Sequence, residues 1–305
     1  MMLTQTFLVC MIILFISTAS ASDIEDVWLD GRGYNWCKLF LADLPLKTGH
    51  YPNKRPVNDL NGYHVKVFIH TPHGDIKKAC FIEKNGALSL SFPTPTKGVY
   101  IAFFVAERVI DKIREIHISK QEINGDQFWY GKSWAGLDRK TLTIPRLTRE
   151  VPFDLIRERI RRMEIANTNI WPTGEGDFTT FRAYFRGNPQ EGAPVTLTTR
   201  EGWSKTAITD ADGQASLQLI RDDYKRKFSR LTRSEVMVKT SLLTSKEGET
   251  ADGPYTQTHY RMIWPMESTP SYLEWSSRIN ALYLFLLILS MVGGGIFLYR
   301  FLTLK

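Results

Sequence analysis

An all-β fold, two Ig-like β-sandwich domains followed by a single C-terminal transmembrane helix, is the class this sequence predicts. Three observations carry that expectation. The stretch 185–221 alternates apolar residues at Val195 and Leu197, and again at Ala215, Leu217 and Leu219, with turn signals at Gly187-Asn188-Pro189 and Asp210-Ala211-Asp212-Gly213. Period-two alternation punctuated by Asn-Pro and Asp-Gly marks antiparallel strands with one buried face. Earlier in the chain, Tyr63–Ile69 alternates in the same way, and Val99–Glu107 is a nearly continuous apolar run suited to a central strand. Near the end, Ile279–Tyr299 is 21 residues without a charge. That length crosses about 30 Å of hydrocarbon as a helix.

The chain has 305 residues, enough for two ordinary domains, and 43% hydrophobic with 23% charged residues excludes wholesale disorder. A net charge of +7 would suit nucleic acid in a cytosolic protein, but the signal peptide and the apolar span at the two ends of the chain argue for an exported body, so no nucleic-acid partner is expected. Residues 1–21 read as a signal peptide: an apolar run from Phe7 to Ile16, then Ala19-Ser20-Ala21. An uncleaved N-terminal anchor is the alternative. Val9 before Cys10 excludes a lipoprotein site, which needs a small residue there. Arg300 and Lys305 follow the C-terminal span while Arg278 precedes it, which places the C-terminus inside. The expectation is a bacterial inner-membrane protein, single-pass, with periplasmic N-terminal domains, a cytoplasmic C-terminus and the lipid bilayer as partner. In an oxidising compartment Cys37 and Cys80 either bridge or stay as two buried free thiols.

Taken in order, 22–150 forms the first sandwich. Residues 22–60 are rich in Trp, Pro and Gly and read as irregular; Tyr63–Ile69 is the first clear strand. Thr71–Asp75 turns into a return strand at Ile76–Glu83, Asn85-Gly86 signals a hairpin into Ala87–Phe92, and Pro93–Gly98 is a loop before Val99–Glu107. Ile110–Ile118 fits either a strand or a helical turn. Residues 151–165 are a basic linker in which Leu155, Ile156, Ile160 and Met163 allow a short helix; a charged edge strand at Arg162–Ala166 is the other option. Arg149, Arg157, Arg159, Arg161 and Arg162 make a basic patch, either a solvated face or an attraction to anionic headgroups or an acidic partner. Residues 166–265 form the second sandwich, with Phe178, Phe181, Tyr184 and Phe185 as core candidates. Arg221–Arg233 is a cationic loop or helix, Glu235–Leu243 and Thr256–Trp264 are closing strands, 266–278 is a linker and 279–301 the transmembrane helix.

Enzyme motifs are missing: no Gly-x-Ser-x-Gly, no His-Glu-x-x-His, no phosphate loop and no dinucleotide fingerprint. A non-enzymatic protein is expected. Asp210–Gly213 lacks the downstream carboxylate of a calcium loop and reads as a hairpin turn. Histidine supplies the one ligand-like cluster, His64, His70 and His73 within ten residues. On an extended strand His64 and His70 share a face about 20 Å apart, whereas His70 and His73 can converge across the turn; imidazoles there suit nickel, copper or zinc. A third donor would come from His50, His117, His259 or a carboxylate; ordinary polar surface is the bland reading of the same residues. In the span, Ser290, Gly293, Gly294 and Gly295 form a small-residue face that lets a partner helix approach, or belong to an ordinary anchor.

Gly192-Ala193-Pro194-Val195, Thr209–Ala215, Val238–Ser241 and Tyr255-Thr256-Gln257-Thr258-His259-Tyr260-Arg261 together resemble the periplasmic NikM-like domain family, also called DUF4198, associated with nickel and cobalt uptake. The resemblance covers about a third of the chain. It implies a membrane-tethered accessory of transition-metal uptake, with a nickel or cobalt ion held by ligands drawn from His64, His70, His73 and His259. Such proteins often begin with a His near a Trp-Leu pair. Here Trp28-Leu29 follows Glu25-Asp26-Val27, so that role is either absent or carried by Glu25 or Asp26. A Gly-Lys-Pro of that family is Gly187-Asn188-Pro189 here. The alternative expectation is an accessory or structural subunit of a larger membrane protein complex that binds no metal, with the glycine face packed on partner helices.

Overall fold

The computed structural model describes residues 25–31, 41–96, 98–125, 151–158, 173–176, 178–222, 234–270 and 272–303. The expected signal peptide, Cys37, Arg149, Arg159, Arg161, Arg162 and most of Arg221–Arg233 lie outside them. The chain opens with β1 (Asp26–Leu29), β2 (Leu41–Gly49) and β3 (Arg55–Pro56), so the stretch expected to be irregular contributes strands. β4 (His64–His70), β5 (Ile76–Lys78), β6 (Phe81–Lys84) and β7 (Ala87–Pro93) precede a long hairpin, β8 (Gly98–Ile110) and β9 (Ile113–Gly125). Then come β10 (Phe153–Arg157), β11 (Thr173–Glu175), β12 (Phe178–Phe185), β13 (Asn188–Pro189), β14 (Pro194–Thr199), β15 (Ser204–Ile208) and β16 (Gln214–Gln218). β17 (Ser234–Thr244), the small hairpin β18 (Gly248–Thr250) and β19 (Gly253–Tyr255), and β20 (Gln257–Pro270) complete the β body, and α1 (Tyr272–Thr303) ends it.

The fold is mostly β, organised by one nine-stranded sheet in the order β15-β14-β17-β20-β9-β8-β4-β5, with β11 also on β20. The join between its early and late strands is β9 against β20, a parallel pair in which Tyr260 meets Ile116 and Met262 meets Ile118. Alternation then assigns faces. Val67, Ile69, Ala102 and Phe104 point one way, into a core with Leu29, Leu44, Leu46 and Leu90 of the sheet β1-β2-β7-β6. Ile118, Val195, Val238 and Trp264 point the other way, into a core with Phe153, Leu155, Phe181 and Leu217 of the sheet built on β10 and β12. Each fully buried side chain of this kind contributes roughly 1.5–3 kcal/mol. The two covering sheets therefore sit on opposite faces of the shared sheet, and the core under the β10–β12 sheet takes in residues of both its early and its late strands.

Several expectations are corrected by these pairings. Ile110–Ile118 is neither one strand nor a helical turn: Asp111 and Lys112, both at positive φ, form a two-residue turn that splits it between β8 and β9. The return strand expected over Ile76–Glu83 breaks at Ala79-Cys80, and its halves pair with β4 and β7 in different sheets. Within the expected linker 151–165, Phe153–Arg157 is a strand, not a helix, because five aligned pairs with β12 bury Phe153 and Leu155. Phe178 is 62% exposed and leaves the core to Phe181. Residues 266–278 are not a free linker: β20 continues to Pro270 and α1 begins at Tyr272. Ile279–Thr303 is long and apolar enough to cross a membrane.

A candidate docking cleft beside the β4 edge

On the face covered by the β10–β12 sheet, the core reaches the early strands and buries Phe68, Ile101, Phe103 and Val105, and its margin lies beside β4. A cleft of 760 Å³ lies there. Its floor is Phe68, Val105 and Ile116 on adjacent strands, and Pro152, just before β10, closes one side. Lys66, Lys78 and Arg114 bring positive charge to the same face, since strand parity aligns them with Phe68 and Ile116. Arg114 Nε donates to Glu107 Oε1 at 2.6 Å, and that hydrogen bond raises the guanidinium above its ordinary value. Among the described residues Lys66 and Lys78 have no ion-pair partner, and both are exposed.

The backbone at this place is open too. Ala79 N–H donates to the Val67 carbonyl at 3.3 Å, so the polar groups of Val65, Val67 and Ile69 point away from β8. β5 covers only Phe68–His70, and the chain then leaves towards β6. On the other flank Tyr63 N–H is satisfied by Leu60. Between these points, among the described residues, no backbone group pairs with Val65 N–H and C=O, and both Val65 and Val67 line the cleft.

The histidines expected as ligands are dispersed. His64 stands at the end of β4, exposed, with Nε2 2.8 Å from Asp252 Oδ1. His70 is buried on the same face at the other end of the strand, edge-on to Phe103 at 5.3 Å. His73 is exposed in the turn held by Thr71 N–H to Asp75 O. His259 lies on β20 opposite Glu115, and its side chain faces the other side of the sheet from Tyr260, hence from His64 and His70. Burial first and the Arg261 guanidinium second hold His259 below the ordinary imidazole value; Arg261 Nε donates to its Nδ1 at 3.4 Å. No group of three or more His, Cys, Asp or Glu able to hold a metal occurs among the described residues. Glu25 and Asp26 are engaged elsewhere, with Arg55 and Lys239 respectively. Cys80 is an exposed free thiol, and the Cys37 half of the expected pair is outside the described residues. Along α1, Gly293, Gly294 and Gly295 have no atom within 4 Å of where a Cβ would stand, and Ser290 Oγ bonds back to Leu287 O.

Two polar clusters were not singled out in the sequence. On the His259 side, His117 is fully buried, its ring 3.8 Å from Glu115, while Arg108 donates to Glu115 at 3.0 Å and lies over Tyr63. On the opposite side Lys120, Glu122, Asp154 and Arg157 are buried together, with Lys120 4.5 Å above the Trp264 ring. Burial raises Asp154 and Glu122 and lowers Arg157. The available signal was parity: Lys120 and Glu122 share the alternation of Ile116 and Ile118, which already marks a buried face.

No family model and no curated protein matches this chain. Among solved structures, it is similar to one on host cell surface retention of a 1.5-MDa bacterial ice-binding adhesin, at 10% identity and TM-score 0.23, over 81% of this chain and 65% of that one. Another is trypsin-activated alpha-2-macroglobulin from Escherichia coli, at 12% identity and TM-score 0.22, over 79% of this chain and 16% of that one. The BSP domain of a biofilm-associated protein matches at 10% identity and TM-score 0.19, over 77% and 28%. Likeness at this level carries no argument about role.

Proposed function

We propose that this chain is a non-enzymatic accessory subunit of a larger membrane protein complex, anchored in a bacterial inner membrane by α1 with its β body on the periplasmic side. One observation carries the reading. β20, a central strand of the nine-stranded sheet, ends at Pro270, and α1 starts two residues later at Tyr272. So short a connection keeps the body at the bilayer surface. The cleft adds apolar surface, cations and a strand edge, which suit recognition. The bare backbone at Gly293–Gly295 suits close approach by a partner helix.

The test is the native mass of the full chain extracted from membranes in mild detergent. A species well above the 35.1 kDa chain, reduced to the monomer by Gly293→Leu with Gly295→Leu, is the expected result. A monomer alone, across several detergents, overturns the reading. A second reading, handling of nickel or cobalt, draws support from the His64–Asp252 pair at the end of β4. On that reading the ligands come from the His64 and His70 face, with His259 replaced by another donor.

A further inference from the structure

The open cleft combines three features that are independent of one another. A strand edge presents Val65 N–H and C=O without a backbone partner among the described residues. An apolar floor of Phe68, Val105 and Ile116 lies beneath it. Two exposed lysines, Lys66 and Lys78, are diagonal neighbours on the cleft face of β4 and β5, while the one carboxylate lining the cleft, Glu107, is already taken by Arg114.

Each feature restricts the occupant. An unpaired edge is satisfied by another extended backbone, which supplies alternating donors and acceptors at strand spacing. Such a strand sends every second side chain into the cleft. Facing two uncompensated lysines, those side chains are complementary when acidic, and the apolar floor accepts the methylene parts or an apolar neighbour. A lipid headgroup or free anion meets the lysines but leaves the edge amide unmet.

We propose that the cleft is a strand-addition site for an extended acidic segment of a partner protein, paired with the free N–H and C=O of Val65 and with its carboxylates on Lys66 and Lys78. The proposal rests on the accessory-subunit reading and names the surface that meets the partner. Lysines at a sheet edge also act as guards against pairing. In that role they admit no strand, whatever its charge.

The experiment uses the full chain in detergent micelles and a fluorescein-labelled octapeptide of alternating Glu and Val as probe, followed by anisotropy. Saturable binding is expected, about tenfold weaker or more for the alternating Lys and Val peptide. A comparable loss is expected in a Lys66→Glu, Lys78→Glu chain and in the milder Lys66→Gln, Lys78→Gln chain, whose unchanged melting would exclude misfolding. N-methylation of alternate peptide amides should abolish binding, and exchange at the Val65 amide should slow in the complex. No saturable binding overturns the proposal and leaves the lysines as guards. Binding indifferent to N-methylation also overturns it, leaving charge attraction of the kind an anionic surface would show. If the Lys66→Glu, Lys78→Glu chain keeps the native mass of the wild-type complex, the cleft is removed from the assembly while the accessory reading stands. A wild-type monomer removes that reading itself.

Discussion

Lys120 Nζ stands 3.2 Å from Asp154 Oδ1 with both side chains buried, and it donates to the Leu155 carbonyl at 2.9 Å. Asp154 Oδ1 in turn accepts the Leu155 N–H at 2.8 Å. Lys120 belongs to β9 and Asp154 to β10, so one ion pair ties the shared sheet to its covering layer. The same pair caps the outward backbone groups of Leu155.

Breaking this pair from one side should be costly. Asp154→Ala leaves the buried Lys120 ammonium with only Glu122, 4.0 Å away, as counter-charge, so the loss should approach that of a broken buried pair, about 3–5 kcal/mol. The double variant Lys120→Met, Asp154→Leu should cost less than the sum of its single changes, because neither member of the pair is left without the other and Glu122 keeps Arg157 beside it. Urea unfolding of the full chain in detergent, followed by tryptophan emission, measures both. Equal and additive losses would show that the two groups are not coupled.

Acid should weaken the fold in two steps. The imidazole of His259 is depressed below 6.5, so the unfolded chain takes up a proton that the folded chain resists. The stability it contributes is complete above about pH 6.5 and is lost as the pH falls through that value. Glu115 acts lower: burial would raise its carboxyl, but the His117 ring and the Arg108 guanidinium outweigh burial and hold it below 4.5. Its contribution is lost only as the pH falls below about 4.5. Melting temperatures across this range should show both steps, with His259→Asn removing the upper one.

Gly213 should not tolerate a side chain. Its φ is +73°, and a Cβ there would meet the Ala183 carbonyl at 2.7 Å. Gly202, at φ +96° with no atom near, provides the comparison. Gly202→Ala should cost about 1–2 kcal/mol from the left-handed backbone alone. Gly213→Ala should cost more, since backbone must also move. Equal losses in thermal melts would rule out the steric contribution.

Nickel and cobalt should bind weakly. His64 and His70 are six residues apart on one strand, about 20 Å, and His259 is on the opposite face. Titration of the full chain should give no site tighter than ~10 μM, about −7 kcal/mol. Stoichiometric tight binding lost in His70→Ala with His73→Ala would favour the nickel or cobalt reading.

What the sequence made legible was local. Asp210–Gly213 is a turn because Asp210 Oδ1 accepts from Asp212 and Gln214 and Gly213 supplies a positive φ, all within five residues. The two faces of Tyr63–Ile69 follow from alternation alone. The β9–β20 pairing joins residues 144 apart, as Gln257 meets Ile113, and no local pattern announces it. The cleft was illegible for the same reason: its lining comes from β4, β5, β8, β9 and Pro152, which no local pattern joins. Phe153–Arg157 was ambiguous because its apolar residues fit a helix until β12 supplies five partners.

The direct passage from β20 into α1 gives the molecule a mechanical character. β20 is held by eleven aligned positions on β17 and seven on β9, and tension applied through α1 runs along the strand. Bonds lying across the direction of pull are loaded together, in shear, and must fail together; a strand peeled from one end loses them one at a time. The junction is therefore built to transmit load from α1 into both sandwich cores at once.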